Sequence, residues 1–578
     1  MRWLVCLGVL AVSHGASAQR WQDATARCLG TTADWSNKIE VADVDGDGNV
    51  DILVANGGNY SSAGTAEPAR VWRNLGGWAQ SGTHCSEISA QAVGGFTGLS
   101  RMIKVADVDG DGDLDILTGG AYQTQAKLYV RNASGWTDAT AQLPQQLTSI
   151  GDAEFGDVDG DGDLDLVIAD WGAQAPGVTG YLGGRTRLYR NDGAGHFTDD
   201  TTAAMPVQLV KWSWDMELVD VDNDWDLDVL VSSKLDTSSF LFRNDGTGKL
   251  TVDANALPHF RNNYEFEAMD IDGDGDLDLA TINDGASSTD HIFVNRGDGT
   301  FADETSTRLT GSANPAEDDN AVVWLDVDSD GDADLLVASL SGPERLLLND
   351  GSGHFTLSPN ATPNDTPGSL GIAIADLDGD GRLDLVQSQG EIAFEEKVQL
   401  ATSTVAIDTA KPVVAIEKID LAAGGRVHAR VHDHQSPSHL HDWQQVVLRV
   451  GSQDVPMHWY GEYLWSAELP PSAADHYEVC ATDRRGNQTC TSSMVPVAGD
   501  TSSPSDGGVT PPTGTPGGCC DAGADPRSSL MPLALVLLLV VRRRRRASVP
   551  EADRQADILV LRCDVRGERD PAAAQRAP

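Results

Sequence analysis

The chain has 578 residues, with 41 Lys and Arg against 87 Asp and Glu, for a formal net charge of -46. That balance argues against nucleic acid or an anionic lipid surface as a partner of the main body. Hydrophobic residues still make up 40% and glycines number 60, which fits a folded, turn-rich protein of several domains better than an acidic disordered chain.

The N-terminal stretch "MRWLVCLGVLAVSHGASAQ" has Arg2, an apolar core and the small-residue site Ala16-Ser17-Ala18. It reads as a signal peptide over residues 1–18, with Cys6 lost on cleavage. The mature chain is therefore expected to be exported, to a compartment where disulfides persist and free calcium is plentiful.

An acidic segment then recurs seven times, as in "DVDGDGDLDIL" from Asp107. The first aspartates are Asp43, Asp107, Asp157, Asp220, Asp270, Asp326 and Asp376, separated by 64, 50, 63, 50, 56 and 50 residues. A period of about 55 is in the range of propeller blades and longer than solenoid repeats. A second marker travels with the loop: "KLYVRN" at Lys127, "RLYRND" at Arg187, "FLFRND" at Phe240, "HIFVNR" at His291 and "RLLLND" at Arg345. These read as strands entering tight turns. An aromatic strand start follows, as in "WTDAT" at Trp136, "FTDDT" at Phe197 and "FADET" at Phe301. Each unit thus supplies four short antiparallel strands, one blade.

The last unit reaches "KVQLAT" at Lys397 without a fourth strand, whereas "WQDAT", Trp21 to Thr25, opens the mature chain as an orphan one. Joining the two closes the ring and removes a raw sheet edge. The expected fold is all-β, a seven-bladed β-propeller over residues 19–404.

Four carboxylates about 4 Å apart form six pairs that repel by about 6 kcal/mol in total even at water's dielectric constant. A hard cation among the oxygens reverses that sign. Counting the first Asp as one, positions 1, 3, 5 and 9 are Asp in every copy. The candidate ligands are Asp43, Asp45, Asp47 and Asp51; Asp107, Asp109, Asp111 and Asp115; Asp157, Asp159, Asp161 and Asp165; Asp220, Asp222, Asp224 and Asp228; Asp270, Asp272, Asp274 and Asp278; Asp326, Asp328, Asp330 and Asp334; and Asp376, Asp378, Asp380 and Asp384. Position 7 varies (Asn49, Asp113, Asp226, Arg382), as suits a residue that offers its backbone carbonyl. Positions 4 and 6 are mostly Gly, permitting positive φ. All-oxygen ligands favour Ca²⁺, up to seven ions, over Zn²⁺, with Mg²⁺ the alternative. An EF-hand would need Glu at position 12, where Val54, Thr118 and Ile168 instead continue a strand. The bland reading is a solvated Asp-rich turn, which the sevenfold regularity disfavours.

These units resemble the FG-GAP or VCBS repeats of secreted bacterial proteins, related to the propeller of integrin α-subunits. The resemblance runs from Trp21 to Thr404 and includes "FGDVDGDGDLDLVIADWGAQAP" from Phe155. It implies a seven-bladed propeller with calcium in hairpin loops, used for adhesion or ligand recognition.

Beyond Asp408, "KPVVAIEKIDLAAGGRVHARVHDHQ", "WQQVVLRVG", "YLWSAELP" and "HYEVCATDRRGNQTCTSS" read as successive short strands, an immunoglobulin-like β-sandwich over 405–498. Cys480 and Cys490 flank a Gly-containing turn and are expected to form a disulfide; Cys28 and Cys85, each seven residues after an aromatic taken to open a fourth strand, are paired as a second. His428, His432, His434, His439 and His441 cluster, and their H-x-H pairs would suit zinc or copper, against the plainer reading of a polar loop. Trp212 and Trp214 in "KWSWD" offer faces for a sugar, against blade-core packing.

Residues 499–527 form a flexible linker with the pair Cys519-Cys520, followed over 528–546 by "SSLMPLALVLLLVV" and the run Arg542 to Arg546. As a helix these 14 apolar-run residues would span about 21 Å, short of the roughly 30 Å hydrocarbon core. The order resembles the myxobacterial C-terminal sorting tag, which implies transient membrane anchoring and release to the cell surface or medium. The tail 547–578, expected to be disordered, departs from that pattern. Two function classes follow. One is a non-enzymatic, calcium-binding surface or secreted module that recognises protein or polysaccharide through loops such as "NGGNYSSAGTAEPAR" from Asn56 and "DWGAQAPGVTGYLGG" from Asp170. The other is a polysaccharide lyase or hydrolase, for which no Ser/His/Asp or Cys/His set stands out.

Overall fold

A computed structural model describes residues 19–494, apart from 59–63, 175–178, 286–287, 364–367, 391–392, 417–424, 438–440 and 471–475. The signal peptide, linker, sorting segment and tail expected from the sequence lie outside the described residues. No helix among the described residues is long and apolar enough to cross a membrane.

Seven four-stranded antiparallel sheets account for most of the chain. In the second sheet the strands are Ser100–Ala106, Asp115–Gly120, Lys127–Asn132 and Gly135–Asp138, and the acidic loop joins the first to the second. The second strands, such as Asp115–Gly120 and Asp334–Ser339, are buried at every residue. A strand reads as uniformly apolar when both faces of its sheet are covered, and here each sheet packs on a neighbour at either side. The first strands touch in cyclic order, Ser36–Ala42 against Ser100–Ala106 and so on round to Ser369–Ala375, which meets Ser36–Ala42 again.

Two devices tie the ring. Trp21–Asp23 pairs antiparallel with Lys397–Ala401, Trp21 opposite Ala401 and Asp23 opposite Gln399, so the first strand of the described chain completes the last sheet. The Asn that ends a third strand reaches back to the preceding sheet's acidic loop. Asn191 Nδ2 donates to the Val108 carbonyl at 2.8 Å, Asn244 to Val158 at 2.8 Å, Asn295 to Val221 at 2.8 Å, Asn349 to Ile271 at 2.9 Å, and Asn74 to Leu377 at 2.8 Å. The marker read as a turn signal therefore also latches one sheet to the next.

The first sheet departs from the sequence reading. Its fourth strand is Cys85–Glu87, not a strand opening at Trp78. Trp78 instead lies in the connection, its Nε1 donating to Asn74 Oδ1 at 3.0 Å and its ring stacked on His84 at 4.9 Å. The Cys28–Cys85 disulfide ties this displaced strand to the segment after Trp21–Asp23, and Cys480–Cys490 bridges neighbouring strands of the C-terminal module.

That module has two four-stranded sheets, Val413–Ile416, Arg426–His432, Leu464–Glu468 and His458–Gly461 in one, and Gln453–Pro456, Trp443–Val450, His476–Asp483 and Gln488–Met494 in the other. They share a core that includes Val427, Ala429, Leu448 and Val479. The module and the ring form one compact unit. The module sits on the acidic-loop rim: Asp157 N donates to Tyr460 O at 2.8 Å, Tyr463 Oη to Ala268 O at 2.9 Å, and Trp324 N to Ser436 Oγ at 2.8 Å.

Candidate metal centres

Each acidic loop is folded by its own carboxylates. In the second, Asp107 Oδ1 accepts the amides of Gly110 (2.8 Å) and Asp111 (3.1 Å), and Oδ2 that of Gly112 (2.9 Å). Asp111 Oδ1 takes the position-7 amide at 2.9 Å, and this bond recurs in all seven loops. Asp115 Oδ1 accepts Arg131 N at 2.7 Å from the third strand, while Oδ2 accepts Val108 N at 3.0 Å. Such a turn needs positive φ at positions 4 and 6, and every copy has it, including Ser329 at 60° and Gly331 at 90°.

Position 3 is different. Oδ1 of Asp109, Asp159, Asp222 and Asp272 is buried and accepts no hydrogen bond. One oxygen from each of Asp43, Asp45 and Asp51 lies within 4.8 Å of the others, and the same holds for Asp107, Asp109 and Asp115, for Asp157, Asp159 and Asp161, and for Asp220, Asp222 and Asp224. Converging carboxylate oxygens with buried lone pairs unsatisfied are what a hard cation requires, so the residues present fit Ca²⁺. Burial pushes the position-9 carboxyls up, Asp51, Asp115 and Asp165 to about 7 and Asp228, Asp278 and Asp334 to about 8. A nearby positive charge lowers such values again.

Four segments, 107–168, 220–281, 270–337 and 326–386, match the model of the FG-GAP-like repeat, and each begins on the first aspartate of a loop. The chain carries FG-GAP-like repeats. No curated protein sequence matches the chain. Among solved structures it is similar to the extracellular domain of a protein described as a hybrid two component system of B. thetaiotaomicron, at 11% identity and a TM-score of 0.37, over 82% of this chain and 58% of that one. The chain thus spans less than two thirds of that structure.

Arginines that the sequence reading passed over flank these FG-GAP-like loops. Arg73 Nη2 lies 2.8 Å from Asp47, Arg131 Nη1 2.7 Å from Asp113, Arg243 Nη1 2.9 Å from Asp222, and Arg308 Nη2 2.9 Å from Asp272. Three of them stand just before the Asn or Asp-facing turn of the third-strand marker, as in "KLYVRN", and that placement was their signal. They soften the mutual repulsion of the aspartates; Arg243 and Arg308 take Oδ2 of the position-3 residues Asp222 and Asp272 and leave Oδ1 without a hydrogen bond.

The fourth loop is bound from outside. Arg430 of the C-terminal module places Nη2 2.7 Å from Asp220 Oδ2, while Nη1 donates to Asn223 Oδ1 at 2.7 Å and to Gly275 O at 3.0 Å. Asn223 and Trp225 hold φ of 62° and 72°, and Tyr460 Oη donates to Trp225 O at 3.1 Å.

Of the histidines, His439 lies outside the described residues. The His428 ring packs 5.5 Å from Tyr460, and His432 lies 5.4 Å from His434 and 5.7 Å from Tyr463. His432 and His441 are buried, and burial lowers both to about 3. Trp214 is a core residue, edge-on to Trp171 at 4.4 Å, whereas Trp212 is partly exposed at φ 62° with Lys234 Nζ 4.6 Å from its ring centre.

Proposed function

We propose that this is an exported, non-enzymatic recognition module: a seven-bladed propeller stiffened by Ca²⁺ in its FG-GAP-like loops, capped by an immunoglobulin-like sandwich, that binds an extracellular protein or polysaccharide. The calcium reading rests on the buried, unpartnered position-3 oxygens. Positions 1, 3, 5 and 9 would hold the ion, which supplies charge that lets the loop stay compact. FG-GAP-like repeats support an extracellular setting, as do the two disulfides.

The observation that carries the recognition reading is the division of the two rims. The C-terminal module covers the acidic-loop rim, so among the described residues the opposite loops are the uncovered face. There Leu182, Val207, Leu209 and Leu235 are exposed, and Leu235 N donates to the carbonyl of Lys211, next to Trp212. A bulky residue held at positive φ beside exposed apolar side chains is a costly arrangement of the kind found at binding sites. Trp212→Ala and Leu209→Ser in the full chain, screened with the parent against glycan and surface-protein arrays in Ca²⁺, test it. Binding by the parent that both variants lose is expected. Retained binding, or release of reducing ends from a polysaccharide, would overturn it.

A further inference from the structure

The first strands of the seven sheets enclose a central cavity of about 220 Å³. Away from the acidic loops, Arg101 meets Trp214 and Tyr264 across the ring, its guanidinium 4.0 Å from the Trp214 ring centre and hydrogen-bonded to Tyr264 Oη. At the other end the C-terminal module contributes Ser436, Pro437, Trp459 and Glu462 to the wall. The wall of the cavity is therefore shared between the ring and the C-terminal module.

Its lining is strongly acidic. Eight carboxylates and two lysines face it, a formal charge of -6 from two positive and eight negative groups. Lys38 Nζ lies 2.5 Å from Asp152 Oδ2 and 2.6 Å from Asp215 Oδ1, and Lys104 pairs with Glu154. Glu217, Glu267 and Glu462 form no ion pair among the described residues. Moreover the cavity's oxygens are short of partners. Asp152 is 1% exposed, yet its Oδ1 accepts no hydrogen bond, and Glu217 Oε2 and Glu462 Oε1 are likewise buried without a partner. A buried carboxylate oxygen with no donor is costly unless something positive reaches it.

We propose that this cavity binds a hard divalent cation, with Glu217, Glu267 and Glu462 as its principal ligands. All-oxygen donors and two lysines already committed elsewhere leave carboxylates for the ion, which suits calcium-class rather than zinc-class chemistry. Burial, and next the neighbouring carboxylates, hold Glu217 and Glu462 well above the usual range; burial also raises Glu267 to about 8, so a lone proton is the competing occupant. Because Glu462 belongs to the C-terminal module and the other two to the ring, the ion would fasten the module over the channel mouth. This site shares no residue with the FG-GAP-like loops.

Crystals of the full chain grown in about 1 mM Ca²⁺, a concentration suited to extracellular sites, and measured at long wavelength decide the matter. The expected result is an anomalous peak inside the ring at about 2.3–2.6 Å from the three carboxylates. In the variant Glu217→Gln with Glu462→Gln that peak should vanish while peaks in the loops persist. Occupied loops around a cavity without anomalous signal would overturn the proposal and leave the loop assignment standing; a filled cavity with empty loops would do the reverse. Should the double variant fail to fold, the parent crystal alone gives the answer.

Discussion

Arg430 Nη2 lies 2.7 Å from Asp220 Oδ2, joining the C-terminal module to the first aspartate of the fourth acidic loop, with side chains 6% and 0% exposed. A buried ion pair adds little net stability, but removing one partner strands the other. Arg430→Ala should therefore destabilise the chelated protein by about 3–5 kcal/mol, and Ca²⁺ should recover part of that loss by taking over the charge of Asp220. Urea melts with and without chelator check this. A loss under about 1 kcal/mol in chelator would show that Asp220 does not depend on the arginine.

The same contact bears on the order of filling. Asp220 Oδ2 is shared with Arg430, and Trp225 at φ 72° carries a backbone cost on the order of 1 kcal/mol. The fourth site should still bind Ca²⁺ but fill last of the seven, and Trp225→Gly should tighten it. Occupancy read from anomalous density at limiting ion tests both statements. A fourth loop filled as early as its neighbours would refute the strain argument.

Removing the ions altogether should lower the melting temperature steeply, because 28 aspartates lose their counter-charges together. Calorimetry in chelator and in millimolar Ca²⁺ is the measurement. An unchanged melting temperature would end the calcium assignment.

Ring closure rests on Trp21, which is 0% exposed and donates from Nε1 to Leu383 O at 2.8 Å. Trp21→Ala should cost about 3–5 kcal/mol, and deletion of residues 19–25 more, since the last sheet then loses its fourth strand. A truncated chain that melts like the parent would show that the closing strand is dispensable.

Acid and calcium should act against each other. Six of the position-9 aspartates are raised to about 7 or 8 when folded, and burial raises Asp384 too, so above the unfolded value near 3.8 the folded state binds more protons. Their contribution is present at low pH and lost as pH rises. His432 and His441 are lowered to about 3, so the unfolded state binds more protons below 6.5 and stability falls there, by about 2 kcal/mol per histidine at pH 5. Because six raised aspartates outweigh two lowered histidines, chelated protein should lose stability as pH rises from about 5 to 8, whereas Ca²⁺-loaded protein should show only the acid limb. Chelated protein that gains stability from pH 6 to 8 would contradict the assignment.

Much of this protein is written locally. Ligand spacing, the residues at positions 4 and 6, the alternation of the marker strands and the aromatic of the closing strand each depend on a few consecutive residues, so one sequence displays them. Cys480 and Cys490 are of the same kind, ten positions apart across one turn. The tertiary structure alone decided what those pieces meet. Lys38, Asp152 and Asp215 look like ordinary strand residues until seven first strands close and turn them toward one axis, where desolvation and mutual charge dominate their chemistry. Arg430 stands 210 positions from Asp220, and no local pattern pairs them. The first sheet took its fourth strand from Cys85 because a hydrogen bond to Asn74 and stacking on His84 hold Trp78 in the preceding turn, so an aromatic marker served packing instead of pairing. Short-range order follows from backbone and turn chemistry; the charged centre and the capped rim arise only when distant segments exclude water together.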